Sequence, residues 1–301
     1  FKVNWLLYNL KIHYTSLDST KHSLSVFGLD AERYALGYRS NRVFQADPMI
    51  ERDLIHGEFK NYGFEYKILK KKKINTINTT NLYGIKYYKS NNKSIQGPGS
   101  DGSDADFKFY NSVFPAYQNQ SSYTYPNLNL ALFSENILYL NKKLSITPGI
   151  RYEQIKTVSD GSYKFVLLDG AGNAIADTTY QNHTKNEREF LLLGLGLSYK
   201  TKKDLELYAN ISQNYRSVTF ADISIVNPAY IVNPNIEDEK GYTSDIGLRG
   251  NIKNRISYDI NAFQILYEKR IGFVPKVQDD GNVKSEKGNI GDAKITGLES
   301  L

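Results

Sequence analysis

The chain has 301 residues, a net charge of +6 and no cysteine, which excludes a disulfide scaffold, a thiolate metal site and a cysteine nucleophile. Its longest apolar run, FLLLGLGL at 190–197, is far short of the roughly 20 residues that a membrane-spanning helix needs. The mild positive charge is no argument for a nucleic-acid partner.

In chain order, runs of alternating apolar and polar residues predict strands at 3–14, 21–36, 55–68, 76–89, 124–140, 144–157, 187–200, 204–215, 241–252, 256–272 and 289–300. The alternation is clearest from 144 onward. Leu144, Ile146, Pro148, Ile150 and Tyr152 share one parity, while Ser145, Thr147, Gly149, Arg151 and Glu153 share the other. Leu191, Leu193, Leu195 and Leu197 repeat the pattern opposite Gly194, Gly196 and Ser198. Leu205, Leu207, Ala209 and Ile211 then alternate with Glu206, Tyr208, Asn210 and Ser212. Successive strand side chains point to opposite faces, so each of these strands has one apolar and one polar face. Several exceed ten residues, longer than most globular strands and long enough for a tilted membrane span of about nine to eleven.

The connections alternate as well. Short Lys-rich turns near 70–75, 141–143, 201–203 and 252–255 separate long polar excursions at 37–54, 90–123, 158–186, 216–240 and 273–288. Structureless loops of that length are uncommon in compact soluble domains, whereas outer-membrane barrels pair short turns at one end with long loops at the other. The pattern therefore points to an all-β, antiparallel transmembrane barrel, with lipid on the apolar face and a polar lumen. Tyr139, Tyr152, Tyr199 and Tyr208 near strand ends suit an interfacial girdle, and equally suit generic β propensity. The competing class is a soluble, secreted β-rich binding protein whose Leu faces form a core.

Several stretches resemble TonB-dependent outer-membrane receptors. NLALFSENILYLNKKLSITPGIRYEQI is similar to a mid-barrel hairpin of that family. ISQNYRSVTFADISIVNPAYIVNPNIEDEKGYTSDIGLRG resembles the segment after it, and DINAFQILYEKRIGFV with NIGDAKITGLES resembles the next hairpin. These run in the right order across roughly 128–300. RDLIHGEFKNYGFEYKIL and GIKYYKSNNKSIQGPGSDGSDADFKF resemble the ferric-citrate branch. The resemblance implies a 22-stranded barrel closed by an N-terminal plug, of which residues 1–301 would supply about half the strands, without the plug, the coupling box and the last strands. The start at Phe1, with no leader, also reads as a fragment. The implied function is import of a ferric chelate across the outer membrane of a Gram-negative bacterium, energised by a TonB-type partner acting through the missing N-terminal region. Its other partners would be the chelate and outer-membrane lipid. A glycan or cobalamin importer shares the same barrel.

No enzyme constellation is present: His13, His22, His56 and His183 are scattered, and no Ser/His/Asp grouping appears. No cofactor or protein-held metal is expected; Asp101, Asp104 and Asp106 lack the spacing of a calcium loop and read as a solvated loop. On the polar parity, Arg151, Glu153, Glu206, Asp245, Arg249 and Asp259 are expected to face the lumen, where charges so placed usually pair. For ligand capture the candidates are Arg39, Arg42, Gln45 and Arg52 in YRSNRVFQADPMIERD, with Arg216 as a weaker one. The arginine fork suits carboxylates such as those of citrate bound to iron, and a solvated basic loop is the plainer reading.

Overall fold

The computed structural model describes residues 1–38, 46, 48–102, 106–202, 205–219, 222, 230–252, 255–277, 281 and 283–301. Twelve strands form one sheet: β1 (Lys2–Thr15), β2 (Lys21–Gly37), β3 (Asp53–Ile74), β4 (Ile77–Pro98), β5 (Ser121–Tyr139), β6 (Leu144–Leu168), β7 (Ala174–Lys202), β8 (Leu205–Arg216), β9 (Tyr230–Val232), β10 (Glu239–Ile252), β11 (Ile256–Val277) and β12 (Val283–Ser300). The spatial order follows the chain, except that β8 pairs with β10 and the short β9 lies beyond β12. Every pairing is antiparallel apart from β9, which runs parallel to Ser285–Lys287.

The short turns explain themselves locally. Between β3 and β4, Ile74 pairs with Ile77, and Asn75 takes a left-handed φ of 52°, a conformation asparagine tolerates. Between β5 and β6 the Asn141 side chain accepts the amides of Lys143 and Leu144 at 2.8 and 2.9 Å. In the β1–β2 turn, Asp18 accepts from Thr20 and from Lys70 Nζ at 2.9 Å, tying two neighbouring turns together. These bonds hold the Asp18 carboxyl well below the usual carboxylate range, Ser16 first and Lys70 next among the causes.

Register carries one parity across the whole sheet. Leu132, Tyr152 and Leu191 are direct neighbours on one face, as are Leu197, Ala209 and Ile246. That face is apolar and open: Leu193 is 54% and Ile246 65% exposed. Among the described residues the buried apolar side chains are Ala31, Leu54, Pro98, Tyr123, Ala131, Val166 and Val218, too few to be the core of a soluble domain this large. The opposite face is concave, because Phe27 of β2, Asn129 of β5, Glu153 of β6 and Thr219 beyond β8 line one cavity. The sheet is therefore the wall of a membrane barrel seen in part, with lipid outside and a polar lumen within. Among the described residues no helix is long and apolar enough to cross a membrane.

Three of the long excursions differ from expectation. Residues 158–186 are largely strand, since β6 continues to Leu168 and β7 starts at Ala174, and 273–288 likewise close a hairpin between Val277 and Val283. The segment 90–123 divides into strand up to Pro98, connecting residues of which 99–102 and 106–120 are described, and strand again from Ser121. β9 adds a strand that the alternation did not reveal. The physical reason is solvent. Beyond the membrane both faces of a hairpin meet water, so the period of two disappears from the sequence while the hydrogen-bond ladder persists. At about 3.3 Å per residue the 25 residues of β6 span roughly 80 Å, far more than a bilayer requires.

Cross-strand aromatic–glycine pairs brace the inner face. Phe133 lies directly opposite Gly84, Tyr208 opposite Gly247, and Phe263 opposite Gly297. A Cβ on Gly84 would sit 2.1 Å from Phe133 Cζ, and one on Gly247 2.5 Å from Tyr208 Cζ. Each ring therefore lies flat across the backbone of the next strand, space that only glycine leaves. Gly84→Ala should destabilise the folded barrel by about 1–3 kcal/mol, read as a lower urea midpoint in detergent. Gly170→Ala, at a hairpin tip with nothing within 4 Å, should leave the midpoint unchanged.

Candidate functional site

The concave face bounds a cavity of about 480 Å³ towards the long-loop end of the sheet. Its walls carry Lys86 and Tyr88 of β4, Asn127 and Asn129 of β5, and the Arg151–Glu153 pair of β6. Ser217 and Thr219, just past the end of β8, form its upper rim. Arg151 Nε meets Glu153 Oε1 at 2.5 Å, and Asn129 donates to the second carboxylate oxygen at 3.0 Å. The Arg151 guanidinium also lies 5.4 Å from the centroid of the Phe133 ring. Both charges are thus satisfied within the wall, leaving Lys86, hydroxyls and amides together with Phe27, Ile155 and Val218 to face the space.

All six charged residues expected in the lumen share the concave face. Glu206 accepts from Arg249 Nε and Nη2 at 3.1 and 3.2 Å and from Ser198 Oγ. Asp259 accepts the Tyr208 hydroxyl at 2.6 Å, and Asp245 accepts the Asn210 amide at 2.9 Å. Their register neighbours explain the pairing, since Arg249 is directly opposite both Glu206 and Asp259.

A second polar assembly holds Val218, Thr219, Asp222 and Asp238 above the cavity. Asp238 takes a two-pronged contact from Arg188 Nε at 2.8 and 2.7 Å, the Val218 amide at 2.7 Å and the Tyr215 hydroxyl. Arg188 also reaches Thr157 Oγ1 at 3.3 Å, and Tyr215 stacks on Phe190 at 3.8 Å between centroids. Arg216, a capture candidate, has its guanidinium taken up by two acids, Glu239 at 2.7 Å and Asp222 at 3.1 Å. Glu239 in turn accepts the Ile271 amide at 2.9 Å. Asp222 is almost fully buried and also accepts from Lys287 Nζ at 2.9 Å and from the Thr219 amide and hydroxyl. Burial raises the Asp222 pKa, but Thr219, Lys287 and Arg216 outweigh it and bring the carboxyl down to about 2.

Of the remaining capture candidates, Arg39, Arg42 and Gln45 lie outside the described residues. Arg52 is buried at the start of β3, where its backbone bonds with Gly99 and Ser100 and its guanidinium approaches the Ser100 carbonyl at 3.4 Å. It braces the loop 99–120, which Tyr117 ties to Asp53 at 2.9 Å over fully buried Leu54 and Pro98. In the acidic stretch, Asp106 accepts from Tyr110 at 2.7 Å, and Asp104 lies outside the described residues. Among the described residues no group of three or more acids or histidines could hold a metal ion. Sequence reasoning missed Arg188, Lys86, Asp222 and Asp238. Only the NPNIEDE stretch, noted for its resemblance, hinted at Asp238.

Residues 3–300 match the family described as TonB dependent receptor-like, beta-barrel. No curated protein sequence matches the chain. Among solved structures, the unliganded ferric citrate transporter FecA superposes with a TM-score of 0.67 at 16% identity, covering 99% of this chain and 38% of its own. The ferric yersiniabactin uptake receptor FyuA of Yersinia pestis gives 0.69 at 13% identity, covering 99% and 39%. The ferric-catecholate import receptor Fiu of E. coli K12 gives 0.63 at 12% identity, covering 99% and 44%. The chain thus spans less than half the length of each.

Asp222→Asn removes a carboxylate worth about 2 kcal/mol to this assembly. A carboxyl lowered from 3.8 contributes stability that is fully present above about pH 4 and lost as the pH falls through about 2. The variant should therefore be cleaved faster by added protease within 217–238 at neutral pH. Its difference from wild type should hold down to about pH 4 and shrink below it.

Proposed function

The chain belongs to the TonB-dependent receptor β-barrel family, and we propose that it forms part of the barrel of an outer-membrane receptor that imports a ferric chelate. The observation that carries this reading is the concave cavity at the long-loop end. It is a pre-formed space of about 480 Å³ whose Arg151–Glu153 pair is already satisfied, so a bulky ligand meets hydroxyls, amides and one lysine beside the apolar Phe27, Ile155 and Val218. The fold neighbours named for ferric citrate, ferric yersiniabactin and ferric catecholates support the ligand class.

In this reading the short turns face the periplasm and the long hairpins face outward. A negatively charged chelate binds first to the outer loops, where Arg39, Arg42 and Gln45 supply charge-assisted donors, and then rests against Lys86, Asn127 and Asn129. The bonds from the Val218 amide to Asp238 and from the Thr219 amide to Asp222 keep Ser217 and Thr219 at the rim. Passage requires energy, which a TonB-type partner delivers through a plug and coupling segment. The chain does no covalent chemistry; its contribution is binding and gated passage.

Arg39→Ala with Arg42→Ala in the full-length receptor should weaken ferric citrate binding about 10- to 100-fold, as expected for lost hydrogen bonds to a charged group. Lys86→Gln should weaken it by a smaller factor. Tyrosine fluorescence titration reads both, and unchanged affinity in the two variants would contradict this assignment.

A further inference from the structure

The lipid-facing surface of β3–β6 is not smooth. It carries a groove of about 430 Å³, lined almost entirely by apolar side chains. Two rows bound it: Tyr66, Leu132 and Tyr152 towards the long hairpins, and Tyr83, Ser134 and Ile150 towards the short turns. In the second row Ser134 lies directly between Tyr83 and Ile150, so one small residue interrupts a line of large ones. Gly84 and Phe133 lie in the floor, and Phe133 contributes backbone there because its ring is on the inner face. The space has room for roughly a dozen methylene groups, if each takes about the 30 Å³ of a water molecule.

The next row towards the short turns is polar. Lys70, Asn81 and Asn136 are direct register neighbours on the same outer face. Asn81 is almost wholly buried and donates to Thr79 Oγ1 at 2.8 Å and to the Lys70 carbonyl at 3.3 Å. Asn136 donates to Ser134 Oγ at 2.9 Å, while its Oδ1 is buried without a partner among the described residues. Lys70 pairs with Asp18 at 2.9 Å, and exposed Lys72 stands one further step along the same face, beside Lys71 and Lys73. An apolar slot that opens onto lipid and ends at amides and lysines has the polarity of a single phospholipid.

We propose that this groove is a binding site for an anionic phospholipid of the periplasmic leaflet. One acyl chain lies against Ser134 between Tyr83 and Ile150. The head group sits beside the Asn81–Asn136 row, its phosphate within reach of Lys70 and Lys72. Charge complementarity selects an anionic head group, and continuity with the apolar belt keeps lipid at the site. The short-turn end makes the leaflet periplasmic, so the inference rests on the membrane orientation proposed above.

Native mass spectrometry of the full-length receptor in detergent, titrated with phosphatidylglycerol, phosphatidylethanolamine or lipopolysaccharide, tests it. Wild type should retain one phosphatidylglycerol. Ser134→Phe, which fills the slot, should reduce retention at least tenfold, and Lys70→Gln with Lys72→Gln should reduce it severalfold. Ser244→Phe, on the outer face of β10 away from the groove, should retain lipid like wild type. Every variant is required to show heat-modifiable migration, and Ser134→Phe should bind ferric citrate as wild type does, which separates this test from the transport reading. Equal retention in Ser134→Phe and wild type overturns the site, as does preferential retention of lipopolysaccharide or phosphatidylethanolamine.

Discussion

Hydrocarbon offers no partner to a backbone amide or carbonyl, so a strand in the bilayer must have both edges paired. The rest of this structure follows from that constraint. Consecutive strands joined by tight turns meet it with the least rearrangement, which is why the sheet follows chain order with antiparallel pairing almost throughout. Once each ladder is in register, the period of two places every side chain on one of two faces for the whole width of the sheet. Leucine and isoleucine then meet lipid, and a one-residue slip would carry Arg249 and Asp245 to the lipid face and Ile246 into the lumen.

The inner face meets a different demand. A narrow lumen desolvates charges in part, and an ion left alone there is costly. The wall answers with local pairs, Arg151 with Glu153 two residues along one strand and Arg249 with Glu206 across the ladder. Aromatic rings lying over glycines take up space that longer side chains would fill. At the outward end, contacts distant in sequence replace the ladder: Arg188 and Asp238 lie 50 residues apart, as close in space as neighbours on a strand. The cavity is thus bounded by a rigid wall below and by an anchored stretch above.

How far the sequence revealed this depended on where a segment meets lipid. Over 144–157 and again over 190–211 one face is lipid and the other is wet, so the strands and their polarity could be read directly. Asn141 with its two lysines marked a turn for the same reason. Tyr163 opposite Tyr180, and Phe165 opposite Thr178, stand beyond the bilayer in water on both sides. There the alternation vanishes, and strand resembled loop. The Asp238 and Asp222 contacts were hidden because they need the register of β7, β8 and β12 before their partners can be named. Arg216 shows the limit of composition, since a guanidinium that looked available for ligand is held by Glu239 and Asp222.

The central claim is that the sheet is inside out relative to a soluble protein, and adjacent residues on β10 test it directly. The chain has no cysteine, so single substitutions give a clean background for nitroxide labels. In the full-length receptor reconstituted in bilayers, a label at Ile246→Cys should collide with oxygen and be shielded from a water-soluble nickel chelate. A label at Asp245→Cys should show the reverse preference. A label at position 246 shielded from both reagents, as in a packed protein core, would contradict the account.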